Sequence, residues 1–227
     1  MTINRLFVTG TDTGVGKTRI ATALCAAFVG AGRRVAAMKP VASGCVRTAA
    51  GLRNEDATAL LRAMNVRAGY AEVNPYAFEP AIAPHIAAAE AGVDIDFAVL
   101  DRCYERLCTQ SDVTLVEGAG GWLAPLDAKR TFADLADHWQ LDVILVVGLR
   151  LGCLNHALLS AESIQRRGLR LVGWVGNGID PDFDRRDANV LTLRGRLEAP
   201  CLGVFPYSPQ PDSGAAEIFR RSFSEWT

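Results

Sequence analysis

The 227-residue chain carries almost no net charge: 24 Lys and Arg against 25 Asp and Glu leave −1. No basic run stands out, so no global field holds nucleic acid or an anionic membrane. Arg166-Arg167 and Arg220-Arg221 read as solvated helix faces. No apolar stretch approaches the roughly 20 residues needed to span a bilayer. The N-terminus opens on a strand pattern, not on a charged region followed by an apolar core, so no signal peptide is expected. No C-x-x-C pair occurs among the six cysteines, Cys25, Cys45, Cys103, Cys108, Cys153 and Cys201. Scattered in apolar or helical context, they read as reduced thiols of a cytoplasmic protein. The spacing of His85, His138 and His156 resembles no zinc site. There is no Gly-x-Ser-x-Gly elbow and no legible Cys/His nucleophile pair.

What is present begins at the first strand. Leu6-Phe7-Val8 is apolar, Gly10-Thr11-Asp12-Thr13-Gly14-Val15-Gly16 is a glycine-rich loop, and Lys17-Thr18-Arg19 opens a helical pattern. Strand, glycine-rich loop and Gly-Lys-Thr at a helix start form the context a P-loop requires. Loop N–H groups and the helix N-terminus supply partial positive charge where a polyphosphate sits. Lys17 is expected to reach the outer phosphates and Thr18 to offer its hydroxyl to Mg²⁺. The loop is a variant: Thr11 stands where the first glycine usually lies, and Gly10 comes one residue earlier.

The length suits one α/β domain over residues 1–227, and 49% hydrophobic content suffices for a core covered on both faces. Nearly continuous apolar runs at 6–8, 35–38, 113–116, 143–147, 171–175 and 202–205 predict strands buried on both sides. Helical patterns fall near 17–31, 54–65, 84–91, 95–110, 131–139, 154–167, 186–197 and 213–223. Strands interleaved with helices predict a doubly wound, mainly parallel sheet with helices on both faces, of the P-loop NTPase type. Residues 43–92 show no convincing strand and read as a helical and loop insertion.

The informative polar residues follow strand ends. In Lys39-Pro40-Val41-Ala42-Ser43-Gly44, proline biases Lys39 toward an extended backbone that carries the ammonium past the sheet edge. A second Lys near a P-loop suits a second anion. Glu117, before Gly118-Ala119-Gly120-Gly121-Trp122, stands where P-loop enzymes keep a metal-holding acid. Asp56 sits at a helix start and suits either capping or complementation of the helix dipole, or a second acid near Mg²⁺ and the phosphates. Gly152-Cys153-Leu154-Asn155 suits either an ordinary strand-to-helix connection or a carboxylate-binding helix start.

Taken together, these motifs resemble the ATP-dependent dethiobiotin synthetases of biotin biosynthesis. The likeness runs in order from Thr9-Gly10-Thr11-Asp12-Thr13 and Val15-Gly16-Lys17-Thr18 through Lys39-Pro40-Val41-Ala42-Ser43-Gly44 and Gly51-Leu52-Arg53-Asn54. It continues through Asp56-Ala57, Asn74-Pro75-Tyr76, Pro84-His85, Glu117-Gly118-Ala119-Gly120-Gly121-Trp122, Leu151-Gly152-Cys153, Asn155-His156 and Gly173-Trp174-Val175. The last fifty residues match weakly. The resemblance implies that 7,8-diaminopelargonic acid, CO₂ and MgATP give dethiobiotin through a carbamate and a carbamic–phosphoric anhydride. It implies ATP contacts from Gly14, Val15, Gly16, Lys17, Thr18, Arg19, Asp56, Glu117, Gly118, Ala119 and Gly120. It further implies Mg²⁺ on Thr18, Asp56 and Glu117, and catalytic roles for Lys17 and Lys39. Thr13 and Ser43 would bond the carbamate. Asn177 would meet the nucleobase edge, and Pro206-Tyr207-Ser208 the base and ribose. A homodimer is also implied, with Gly152, Cys153, Leu154 and Asn155 of one subunit holding the substrate carboxylate of the other.

The sequence departs from that pattern in places. Gly178 stands where family members often carry Asp, Gln210 is nearest to a usual acidic position, and Gly14 sits where bulkier residues also occur. A looser choice of base is the expected consequence. The alternative reading is a nucleotide-sensing or partition-type P-loop ATPase acting on a protein partner. That partition class usually adds a lysine just after the first loop glycine, where this chain has Thr11 and Asp12.

Overall fold

A computed structural model describes residues 4–208 and 215–220. In chain order the elements are β1 (Arg5–Gly10), α1 (Lys17–Gly30), β2 (Val35–Met38), β3 (Val41–Ala42), β4 (Val46–Thr48), β5 (Gly51–Arg53), α2 (Glu55–Ala63), α3 (Tyr70–Val73), β6 (Tyr76–Ala77) and α4 (Pro84–Glu90). They continue with α5 (Phe97–Gln110), β7 (Val113–Glu117), α6 (Phe132–His138), β8 (Asp142–Leu149), α7 (Cys153–Arg166), β9 (Leu171–Gly178), α8 (Arg186–Arg196), β10 (Cys201–Phe205) and α9 (Ala215–Arg220).

Six strands form one sheet in the order β10-β9-β8-β1-β7-β2, and every pairing in it is parallel. The apolar runs explain why. Side chains alternate across a strand, so a strand covered on both faces must be apolar at every position. Leu6 and Val8 enter the core cluster against α1, together with Val113, Leu115, Ile144 and Val146. Phe7 and Val116 enter the opposite cluster, with Leu100 of α5 and Phe132 of α6. Leu145 and Val147 pack with Ala157 of α7 and Leu193 of α8. No helix of the described residues is long and apolar enough to cross a membrane.

The chain builds from β1 to β2 at one edge, returns to insert β7 beside β1, then grows through β8, β9 and β10 to the other edge. Such a reversal opens a crevice at the carboxyl ends of the strands. β1, β2 and β7 all deliver their following loops there.

The six expected strands and the eight expected helices within the described residues are present, the helix near 213–223 only as 215–220. Pro209, Gln210, Pro211 and Arg221 lie outside the described residues. The expectation that 43–92 lacks strands is corrected. β4 and β5 form an antiparallel hairpin, and β6 pairs with β3. α3 was also not expected. These pieces are two to four residues long, and β4 is wholly exposed. Too few positions are buried to leave a readable alternation. None of these strands joins the main sheet.

Candidate functional site

The loop after β1 reaches α1 through Gly16 at φ +89°, a left-handed conformation suited to glycine. A Cβ there would stand 2.2 Å from Asn177 Nδ2, so close approach also demands glycine. Thr11 is stitched to β8: its N–H donates to the Val146 carbonyl at 3.0 Å, and its hydroxyl accepts from the Gly148 N–H at 3.4 Å. Asp12 accepts the Thr13 N–H at 2.7 Å and pairs with Arg150 beyond β8. The polar pair Thr11-Asp12 thus anchors the loop where a glycine would not.

Lys17 donates to the carbonyls of Asp12 at 3.0 Å and Gly120 at 2.5 Å. It bridges the loop after β1 to the loop after β7. Burial, reinforced by the positive charge of Lys39, lowers its pKa to about 8. Thr18, one residue on, donates its hydroxyl to Glu117 Oε1 at 2.8 Å.

Lys39 lies between two acids. Its ammonium is 2.5 Å from Glu117 Oε1, 3.0 Å from Asp56 Oδ2 and 3.2 Å from the Gly118 carbonyl. Burial opposes its charge, but Glu117 and Asp56 outweigh burial and hold the pKa above its ordinary value. Burial likewise opposes the charge on Asp56, and Lys39 outweighs it, so the Asp56 carboxyl lies below its ordinary value. Asp56 is not the cap of α2, although it stays in the first turn where its charge complements the helix dipole. Asn54 is the N-cap of α2, its side chain accepting the Ala57 N–H at 3.2 Å, while the Asp56 carboxylate is turned to Lys39.

A brace supports this group. Asn54 N–H donates to the Tyr70 hydroxyl at 2.7 Å, and that hydroxyl donates to Asn74 Oδ1 at 3.0 Å. Asn74 Nδ2 in turn donates to the Lys39 carbonyl at 2.7 Å. Asn54 Nδ2 donates to the Ser43 carbonyl at 3.3 Å. Sequence reasoning gave Asn54, Tyr70 and Asn74 no role. An Asn just before Glu55-Asp56 and a helical pattern is a cap signal that marks Asn54; nothing local marks the other two.

Thr13, Gly14, Gly16, Lys17, Thr18, Lys39, Ser43, Asp56, Glu117, Ala119 and Gly120 line one cleft of about 730 Å³. Ala81, Ile82, Ala83 and Pro84, with Ala124 and Pro125, line it as well and add an apolar wall. Val15 is buried beneath the loop.

Arg19, Asn177 and Pro206 meet at the neighbouring strand ends. Asn177 Nδ2 donates to the Val15 carbonyl at 2.9 Å. Arg19 Nη1 donates to Asn177 Oδ1 at 2.8 Å and to the Pro206 carbonyl at 2.9 Å. Tyr207 and Ser208 follow, with Tyr207 45% exposed. Gly152, Cys153, Leu154 and Asn155 are absent from the cleft lining. They start α7, where the Cys153 side chain is buried beside Asn189.

The oxygen set suits a hard divalent cation. Glu117 Oε2 is buried without a hydrogen-bond partner, while the Thr18 hydroxyl and the Asp56 carboxylate line the same cleft. Two carboxylates and a hydroxyl are the sparse protein set Mg²⁺ takes when phosphates and water complete its shell. The described residues contain no cluster of three or more His, Cys, Asp or Glu able to hold a metal.

A parallel α/β sheet with a glycine-rich anion loop, Gly-Lys-Thr at a helix start and a buried acid on the adjacent strand defines a P-loop nucleotide-binding protein. The fold is similar to the cell division ATPase MinD of Pyrococcus furiosus, at a TM-score of 0.59 and 20% identity over 98% of both chains. It is also similar to the MinD–Mg-ADP complex of Pyrococcus horikoshii, at 0.54 and 18% over 99% of this chain and 96% of that one. At such identities the likeness concerns the fold alone. A family described as an AAA domain matches residues 4–214. The ATP-dependent dethiobiotin synthetase BioD of Pseudomonas paraeruginosa is 57% identical over 93% of this chain and 92% of its own length. That of Xanthomonas euvesicatoria is 49% identical over 92% and 93%. The chain belongs to the ATP-dependent dethiobiotin synthetase family.

Proposed function

We infer that the cleft carries out the ATP-dependent conversion of 7,8-diaminopelargonic acid and CO₂ to dethiobiotin. One observation carries the residue assignment: Lys17 and Lys39 line a single cleft with the P-loop, Thr18, Asp56 and Glu117. A P-loop needs one lysine for its phosphates. A second, fixed by two acids, suits a second anion.

In this reading one amine of the substrate takes up CO₂ and loses a proton to give a carbamate. Lys39 and Lys17 stabilise its negative charge, and the hydroxyls of Thr13 and Ser43 bond its oxygens. The loop from Thr11 to Gly16 holds the triphosphate, with Arg19, Asn177 and Pro206-Tyr207-Ser208 toward the base. A carbamate oxygen attacks the γ-phosphorus, the bond to ADP breaks, and a carbamic–phosphoric anhydride results. The second amine attacks the carbonyl carbon, phosphate leaves, the attacking nitrogen loses a proton and the cyclic urea closes. Lysine charge preorganised at the reacting oxygens lowers both barriers by stabilising the charge that develops there in the transition states. Thr18, Asp56 and Glu117 would hold Mg²⁺, which when bound neutralises phosphate charge. The apolar wall of Ala81 to Pro84 suits the hydrocarbon chain of a nine-carbon acid.

We further propose a cytoplasmic homodimer in which the α7 start of one subunit holds the substrate carboxylate of the other. The bare surface there supports it, with Leu151 91% and Leu159 57% exposed. All six cysteines are free thiols, as a reducing compartment would keep them. The partition-type alternative has no support beyond the shared fold.

The test is product identification by mass spectrometry from diamine, bicarbonate and MgATP. Dethiobiotin is expected only when all three are supplied. ATP consumption independent of the diamine and bicarbonate would overturn the reading.

A further inference from the structure

Tyr70 opens α3 and Asn74 follows that helix, one turn on. Neither lines the cleft, yet their side chains join the two elements that carry Asp56 and Lys39. The polarity of the groups between them admits one arrangement of hydrogens. The Asn54 N–H only donates, so the Tyr70 hydroxyl accepts it, at 2.7 Å. The carbonyls of Lys39 and Tyr76 only accept, so Asn74 Nδ2 donates to both, at 2.7 and 3.1 Å. Asn74 Oδ1 is then left to face the phenol, which gives it its one hydrogen at 3.0 Å. Asn54 is 8% exposed and Asn74 3%, so water is a poor substitute at either position.

Each end of this chain of bonds carries part of the site. At one end Asn54 caps α2, with Asp56 two residues on, and its Nδ2 donates to the Ser43 carbonyl at 3.3 Å. At the other end the Lys39 backbone is held twice, its carbonyl by Asn74 and its N–H by the Val73 carbonyl at 2.8 Å. The Lys39 ammonium then crosses to Asp56 Oδ2 at 3.0 Å, where the lysine side chain is 4% exposed and the aspartate 43%. Water competes for so open a carboxylate, so this ion pair alone does not fix α2 against β2. The buried bonds through Tyr70 do. Without the hydroxyl, the Asn54 N–H and Asn74 Oδ1 would both lose their partner, and such groups move to recover one.

Resting on the reading of Lys39 as the group that stabilises the carbamate, we propose that Tyr70 is a positioning residue for the reaction. Its hydroxyl fixes the start of α2 against the end of β2, and so sets where the Lys39 ammonium stands in the cleft. It acts through Asn54 and Asn74 and not on the substrate.

The test is steady-state turnover and ADP calorimetry on the full chain carrying Tyr70→Phe, alone and combined with Lys39→Ala. Phenylalanine keeps the ring against the Arg53 guanidinium, 4.1 Å from its centroid, and removes only the hydroxyl. In Tyr70→Phe, kcat for dethiobiotin should fall by about fivefold or more, part of the roughly 10²-fold that a 1 Å misplacement costs. Affinity for ADP should change by less than about twofold, because no P-loop contact is touched. In the Lys39→Ala background the same substitution should lower kcat by less than about twofold, since no ammonium is left to misplace. A merely structural role would lower both backgrounds alike. Tyr76→Phe is the control. Its hydroxyl also accepts a backbone N–H, from Asp96 at 2.9 Å, but stands outside this chain of bonds, so kcat should stay within about twofold. Asn74→Asp keeps an acceptor for Tyr70 and loses the donor to Lys39, so it should repeat the loss. If Tyr70→Phe does not fold, a folded Asn74→Asp with unchanged kcat would overturn the proposal. So would unchanged kcat in Tyr70→Phe, equal losses in the two backgrounds, or an equal loss in Tyr76→Phe. Failure of the underlying reading looks different: the unaltered chain forms no dethiobiotin, or Lys39→Ala alone turns over as fast as the unaltered chain.

Discussion

Lys39 Nζ lies 2.5 Å from Glu117 Oε1, with the two side chains only 4% and 1% exposed. Both charges are almost withdrawn from solvent, so each lowers the cost of burying the other. Removing one partner of such a pair leaves an uncompensated charge, at a cost of about 3–5 kcal/mol.

Lys39→Ala should therefore do two things. It should lower turnover by about 10²-fold or more, the scale of one preorganised electrostatic stabiliser. It should also lower the unfolding temperature, because Glu117 loses its counter-charge. Nucleotide affinity should be largely kept through Lys17 and the loop. Lys39→Arg should not fully rescue turnover, since a planar fork does not replace a compact ammonium. Calorimetry and dethiobiotin formation on the same preparations decide it. Lost nucleotide affinity without a specific loss of chemistry would move Lys39 to the phosphate site, and unchanged turnover would remove it from the mechanism.

Glu117→Gln and Asp56→Asn should each weaken turnover at limiting Mg²⁺, because each takes an anionic oxygen from a hard-cation set. Glu117→Gln should have the larger effect. Its carboxylate is buried, and one oxygen already serves Thr18 and Lys39 while the other has no partner. Titration with Mg²⁺ in the presence of ADP reads the same change without catalysis. Wild-type activity of both variants at limiting Mg²⁺ would refute the metal assignment.

Gly178 bears on the base pocket. A Cβ there would meet the Tyr207 amide nitrogen at 2.6 Å and the Pro206 carbonyl carbon at 3.1 Å. Backbone fills the space an Asp side chain would need, so no acidic side chain at 178 can read a base in this arrangement. Discrimination among ATP, GTP and CTP should be less sharp than in relatives carrying Asp, because a missing polar contact cannot penalise the wrong base. Gly178→Asp should not sharpen it and should lower stability. Turnover with the three triphosphates checks this, and selectivity equal to that of an Asp-bearing relative would count against it.

Asp134 closes the capping box of α6. Its carboxylate accepts the Thr131 N–H at 2.6 Å and pairs with Arg167 at 2.7 Å. Burial would raise its pKa, but the Thr131 and Arg167 contacts outweigh burial and lower it from 3.8. The stability it supplies is thus present above about pH 4 and lost as pH falls through the lowered value. Asp134→Ala should cost about 1 kcal/mol at pH 7, and the gap from the unaltered chain should narrow in strong acid. Denaturant unfolding at pH 7 and pH 3 measures both ends. A gap that widens in acid would contradict the assignment.

The sheet was legible because its strands obey one local rule. Leu6-Phe7-Val8 and Val143 to Val147 are apolar at every position because both faces are covered, and that pattern survives without knowledge of the partner strand. The hairpin of β4 and β5 was not legible, since three-residue strands with no fully buried position leave no periodic trace. The P-loop could be read from spacing, because it is a contiguous anion site whose parts share one stretch of chain. Asp56 was ambiguous because capping and ligation use the same residue type at the same place, and only the position of Asn54 relieved it of the first role.

What the sequence determined by itself was therefore local: the strand and helix periods, the glycine-rich loop with Lys17 and Thr18, and Lys39 and Glu117 at strand ends. Tertiary structure decided how these are paired. The order β8-β1-β7-β2 sets β7 between β1 and β2, which brings Glu117 to both Thr18 and Lys39 although 99 and 78 residues separate them. The same sheet carries Asn177 to Arg19 across 158 residues. Electrostatic and hydrogen-bond energies depend on distances of a few ångströms. A linear sequence holds no such distances; the register of parallel strands creates them.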